Sequence, residues 1–93
     1  MSETTLLLVD DEGAFRRLTG KELSRSGYAV ESAPSIEEAR QMLSRRNYHL
    51  VVLDVRLPDG SGLDLLSEIR ESSPSTEVVM LTGYGTVRRR SAP

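Results

Sequence analysis

Apolar residues fall along this chain in two alternating rhythms, one continuous and one periodic. Thr5 to Val9 is an apolar run that stops at Asp10-Asp11, as in a strand covered on both faces. Glu12 to Ser26 instead spaces Ala14, Phe15, Leu18 and Leu23 along one helical stripe and ends at Gly27. That predicts an amphipathic helix with a C-terminal glycine. Tyr28 to Glu31 predicts a short second strand. Pro34-Ser35 opens a second helix, with Ser35 and Glu38 at capping-box spacing and a buried stripe of Ile36, Ala39, Met42 and Leu43. Leu50 to Leu53 predicts a third, fully apolar strand that ends at Asp54. Leu57-Pro58-Asp59-Gly60 is a turn, because proline and glycine set its dihedrals. Leu63 to Arg70 predicts a third helix that presents Leu63, Leu66 and Ile69, and Val78 to Leu81 a fourth strand that ends at Thr82-Gly83.

Strands joined by helices of this length pair in parallel through right-handed crossovers. The fold class is therefore α/β, a doubly wound parallel sheet. In such sheets ligands gather beyond the carboxyl ends of the strands. That rule selects Asp10 and Asp11 after the first strand, Asp54 after the third and Thr82 after the fourth.

Composition narrows the classes. Ninety-three residues make one domain at most, and a chain this short buries only roughly 60–65% of its unfolded surface. With no cysteine and one histidine, His49, there is neither a disulfide nor a zinc-binding set. Absent cysteine fits a reducing cytosol. The net charge of −2 excludes a strongly basic nucleic-acid binder, apart from the short Arg88-Arg89-Arg90 run. Leu6-Leu7-Leu8-Val9 is too short for a membrane span. The expected location is the cytoplasm, with no membrane or direct nucleic-acid contact.

Clustered carboxylates repel, and without a cation one of them has its pKa raised. A hard divalent ion such as Mg²⁺, which prefers oxygen ligands, resolves the conflict. The same parts suit phosphoryl transfer, which needs positioning and charge neutralisation. Asp54 follows the most apolar strand and is the candidate nucleophile, the product being an aspartyl phosphate. Taken singly, each residue has a plainer reading. Asp11 is as readily a helix cap as a metal ligand, Asp59 a turn residue, Asp64 an early-helix charge and Thr82 a polar strand end. Their joint placement at successive strand ends is what points to a site.

Three segments, "LLLVDDE", "VVLDVRLPDGSGLDLL" and "VVMLTGYGTV", resemble in order and spacing the receiver domains of two-component response regulators. The wording is most like receivers attached to σ54-dependent transcriptional activators, and the resemblance covers residues 4–87. It implies a flavodoxin-like sheet with strand order 2-1-3-4. It implies that Asp54 is phosphorylated by a sensor histidine kinase. It also implies that Mg²⁺ is held by Asp10, Asp11, Asp54 and the backbone carbonyl of Arg56, with Asp11 the more direct ligand of the acidic pair. Thr82 would be the switch hydroxyl, and Pro58 and Gly60 match the family's tight loop.

The tail departs from that pattern. A complete receiver continues past Val87 with a helix, a fifth strand ending in Lys-Pro, and a last helix. Residues 88–93 instead read as a basic tail, and the only lysine is Lys21 in the first helix. The expectations are an incomplete receiver in which Asp54 is phosphorylated slowly or not at all, with Mg²⁺ still held through Asp11 and Asp54. A homodimer or domain-swapped oligomer is expected through an open fourth-strand edge. The competing readings are a kinase-docking module that does not accept phosphate and a non-functional truncated fragment. A haloacid-dehalogenase-type phosphatase is disfavoured, because it needs a second Asp two residues after the nucleophile and position 56 is Arg.

Overall fold

The computed structural model describes residues 3–81. Its elements are β1 (Thr5–Val9), α1 (Gly13–Arg25), β2 (Ala29–Ala33), α2 (Ile36–Arg45), β3 (Leu50–Asp54), the short pair β4 (Arg56–Leu57) and β5 (Gly60–Ser61), α3 (Gly62–Ser72) and β6 (Glu77–Leu81). The long strands form one sheet in the order β2-β1-β3-β6, all parallel. This is the expected 2-1-3-4 order of the flavodoxin-like fold, with β6 as the fourth long strand. No helix among the described residues is long and apolar enough to cross a membrane. Thr82, the end of the fourth-strand motif and the basic tail from Arg88 lie outside the described residues. What lies beyond β6, and with it the expected association through that edge, falls outside them too.

Side-chain alternation divides the core in two. Leu7 and Val9 of β1 and Val51 and Leu53 of β3 are fully buried with Ile36, Ala39, Leu65 and Ile69, on the face covered by α2 and α3. Leu6 and Leu8 point the other way, with Val52, Leu81, Phe15 and Leu23, under α1. A strand whose successive side chains point to opposite faces must be apolar at every position to satisfy both layers. This explains the unbroken Leu6–Val9 run.

Helix ends follow local chemistry. Glu12 caps α1 by accepting from the Phe15 N–H at 3.1 Å, and Gly27 beyond it has φ +103°, a left-handed conformation that suits glycine. Ser35 caps α2 by accepting from the Glu38 N–H at 3.2 Å, the half of the capping box expected from the spacing.

Two helices are rotated relative to expectation. On α1 the sheet-facing stripe runs through Phe15, Arg16, Thr19, Gly20 and Leu23, so Leu18 turns outward and is 67% exposed. On α3 the buried positions are Gly62, Leu65 and Ile69, while Leu63 is 53% exposed. The cause on α3 is a close approach at its first residue: a Cβ on Gly62 would lie 2.1 Å from the Asp54 carbonyl oxygen. That contact sets the helix's rotation, and Leu65 rather than Leu63 follows it inward at i, i+3 spacing. The second strand is also shifted. It runs to Ala33, and Tyr28 instead packs against the α1-side core.

The two leucines give a stability test. Leu7→Ala removes a fully buried side chain and is expected to cost about 2–5 kcal/mol. Leu18→Ala should stay within about 0.5 kcal/mol, as for an exposed position. Urea unfolding of both variants measures the difference, and equal losses would place Leu18 in the core after all.

Candidate functional site

The site is a product of strand order. β1 and β3 are neighbours, and Val9 pairs with Leu53. The next residue on each strand is therefore an aspartate, and the two side chains emerge side by side at the same sheet edge. Asp11 follows directly. One carboxylate oxygen from each of Asp10, Asp11 and Asp54 lies within 4.8 Å of the others. Asp10 and Asp54 are 5% and 7% exposed, whereas Asp11 is open to solvent. The structure thus brings together three of the expected site residues. Of the other two, Arg56 follows Asp54 by two residues and Thr82 lies outside the described residues.

Main-chain groups hold the buried pair. Asp10 Oδ1 accepts from the Glu12 N–H at 2.8 Å, and its own N–H donates to the Ala33 carbonyl at 3.1 Å. Asp54 Oδ1 accepts from the Arg56 N–H at 3.3 Å. The strand is extended past Asp54 by the Val55 N–H, which donates to the Leu81 carbonyl at 3.1 Å. The returning chain then closes on the same point, with the Gly62 N–H donating to the Val55 carbonyl at 2.7 Å. Arg56 therefore sits inside a small closed hairpin, Arg56 opposite Ser61 and Leu57 opposite Gly60. Leu57 anchors the hairpin in the core.

The electrostatics are unfavourable as they stand. Burial raises the pKa of Asp10, partly offset by the Glu12 N–H, and Asp11 and Glu12 raise it further. Burial likewise raises Asp54, against the Arg56 N–H, with Asp10 and Asp11 adding to the rise. The Arg16 guanidinium relieves Asp10 a little and donates to its carbonyl at 2.7 Å. An all-oxygen set of three converging carboxylates with this excess of negative charge matches the donors a hard divalent cation takes.

Three features of the site are not signalled by the motifs. Arg16 reaches back from α1 to the Asp10 carbonyl, and its position in a basic pair looks like an ordinary solvated helix face. Gly62 is required by the approach to Asp54, yet in the sequence it is one of two glycines around a turn. The β4–β5 hairpin replaces a simple turn, because Pro58 and Asp59 form its tip rather than the whole connection.

Comparison with known proteins is consistent along the chain. Residues 6–92 match the family model described as the response regulator receiver domain. The response regulator protein PilR of Pseudomonas aeruginosa is 44% identical over 87 residues, which is 94% of this chain and 20% of PilR. The photosynthetic apparatus regulatory protein RegA of Cereibacter sphaeroides is 37% identical over 92% of this chain and 47% of its own length. The chain thus spans less than half the length of these relatives. Among solved structures, a CheY-like receiver domain protein from Methanospirillum hungatei superposes with a TM-score of 0.86 at 31% identity, covering 92% of this chain and 69% of that one. The response regulator TrrA of Thermotoga maritima, solved in complex with Mg²⁺–BeF, gives 0.82 at 38% identity over 87% of this chain and 70% of its own.

Both buried carboxyl groups have pKa values above the ordinary 3.8. The folded chain then holds protons that the unfolded chain has released. Ionisation opposes folding, and stability falls as pH rises from about the ordinary value through the raised one. Below that window the penalty is absent. In metal-free buffer at neutral pH, Asp54→Asn should therefore raise the melting midpoint, by roughly 4 °C or more for each kcal/mol relieved. The gain should vanish near pH 3.5, below the ordinary 3.8. Calorimetry across pH checks this, and a midpoint lowered at pH 7 would contradict it.

Proposed function

Because the chain belongs to the response regulator receiver domain family, we propose that it is a phosphoacceptor that takes a phosphoryl group from a sensor histidine kinase onto Asp54. The observation that carries this reading is the convergence of the Asp10, Asp11 and Asp54 carboxylates within 4.8 Å at the end of β3. Asp54 is the one of the three that lies within a strand, as the last residue of β3, and its carboxylate accepts from the Arg56 N–H.

The donor set fits Mg²⁺. Asp10, Asp11, Asp54 and the backbone carbonyl of Arg56 would hold it, with Asp11 on the solvent side. Bound there, the ion supplies neutralisation of the carboxylates and of the incoming phosphoryl oxygens. That TrrA was solved with Mg²⁺–BeF supports the assignment.

The chain's own groups do the rest. Asp54 must be ionised, and its oxygen attacks the phosphorus of a phosphohistidine. The new bond is O–P and the bond broken is P–N. The electron pair of that bond returns to the imidazole nitrogen, which takes up a proton from solvent. The Arg56 N–H steadies the Asp54 oxygen that it touches, and the closed hairpin keeps that donor in place. Thr82 is assigned the hydroxyl that bonds the phosphoryl group after transfer. The domain is a signalling element with no assigned direct nucleic-acid contact. Control of transcription would be exerted through a partner or a further domain.

Incubation with acetyl phosphate and Mg²⁺ is expected to label wild type at one site and Asp54→Ala not at all. A chelator should abolish labelling. Mg²⁺ at about 100 times its Kd should also stabilise the fold by about 2.7 kcal/mol, and Asp11→Asn should reduce that gain. Labelling that persists in Asp54→Ala would overturn the acceptor assignment. Kinase binding without labelling of wild type would favour the docking reading instead.

A further inference from the structure

The N-terminus of α2 is closed by a carboxylate from elsewhere in the chain. The Ile36 N–H donates to Asp59 Oδ1 at 3.0 Å and the Glu37 N–H to Asp59 Oδ2 at 3.0 Å. The Glu38 N–H donates to Ser35 Oγ. All three first amides of the helix are therefore occupied, two of them by a residue at the tip of the β4–β5 hairpin. Helix ends need such acceptors, but a local serine or aspartate normally supplies them. Here the partner lies 22 and 23 residues away.

The same hairpin leads back to Asp54. Asp59 sits between Leu57 and Gly60, which pair across the hairpin, and Arg56 pairs with Ser61 one step further down. The base is closed by the Gly62 N–H on the Val55 carbonyl. The hairpin is thus fixed at its base on β3 and at its tip on α2, and the Arg56 peptide lies between. Gly60 of the hairpin also comes close to α2, and α2 is tied in turn to α3. Ile36 Cδ1 would lie 3.1 Å from a Cβ on Gly60, and Arg40 of α2 makes a two-point ion pair with Glu68 of α3, at 2.9 and 2.7 Å. The Ile36 and Glu37 N–H groups hold the Asp59 carboxyl below its ordinary range, so the clamp is charged at neutral pH.

We propose that Asp59 is a positioning residue for the acidic site: by clamping the hairpin tip to α2, it fixes the Arg56 main chain against Asp54 and the cation position. The proposal rests on the cation site assigned above and deepens it. Asp59 touches neither the phosphoryl group nor the cation, and it acts through Arg56. Ser35, whose bond to the Glu38 N–H lies within the helix end itself, is the control for a cap that serves only the helix.

The test compares Asp59→Ala and Asp59→Asn with Ser35→Ala in the full chain, well below all melting midpoints. Ser35→Ala removes a cap from the same helix end but leaves the hairpin alone. Asp59→Ala is expected to speed hydrogen exchange at the Arg56 amide about tenfold and to weaken Mg²⁺ binding, read by titration, about tenfold, the low end for outer-shell partners of a metal site. Asp59→Asn, which keeps one acceptor oxygen, should fall between. Ser35→Ala should leave both readouts at wild-type values. Unchanged exchange and Mg²⁺ binding in the Asp59 variants, or equal changes in Ser35→Ala, would overturn the proposal. If Asp59→Ala does not fold, Asp59→Asn against Ser35→Ala decides it in the same way. If wild type binds no Mg²⁺, the cation site itself falls. Exchange at Arg56 then decides the clamp alone: faster exchange in the Asp59 variants supports it, and unchanged exchange overturns it.

Discussion

The side-by-side exit of β1 and β3 from the sheet is the constraint on which the rest depends. Parallel pairing in register places Val9 against Leu53, and each strand continues into an aspartate. Two carboxylates are thereby forced together at a place where the core begins and water thins out. Isolated, either would be a routine polar strand end. Adjacent and backed by a third, they form a region of negative charge that the fold itself only partly offsets, through the N–H groups of Glu12 and Arg56 and the guanidinium of Arg16. Such incomplete compensation favours a cation, which completes it, and repels an anion unless a cation is bound first.

The sheet was legible because its physics is local and repetitive. Runs that are apolar at every position, such as Leu6–Val9 and Leu50–Leu53, admit few structures other than strands buried on both faces. Parallel pairing then followed from connection length and handedness, and the strand order from the resemblance to receiver domains. The convergence of Asp10, Asp11 and Asp54 was read from the shared edge at which parallel strands end. The helices were legible as helices but not in their rotation. Leu18 and Leu63 have the right periodicity, yet they face out. Rotation is decided by single contacts, such as Gly62 against the Asp54 backbone, and periodicity within a helix carries no information about them. Turn preference also marked Asp59 only as a turn residue, since a cap provided across 22 residues leaves no mark at capping-box spacing.

The two halves of the site differ in how they are held. Asp10 and Asp54 sit at the ends of strands whose side chains fill the core, and moving either would require the sheet to move. The Arg56 peptide lies instead on a four-residue ladder outside the main sheet, an element far too small to be stable alone. Its position is borrowed from its anchors: Leu57 in the core, Gly62 on Val55 and Asp59 on α2. A rigid pair of carboxylates beside a clamped loop holds Asp54 and the Arg56 peptide in one relative geometry. A change at the acidic site that pulls on Arg56 also pulls on Asp59, and through it on the first turn of α2. The geometry of the acidic site and the seating of that helix are therefore one mechanical problem rather than two.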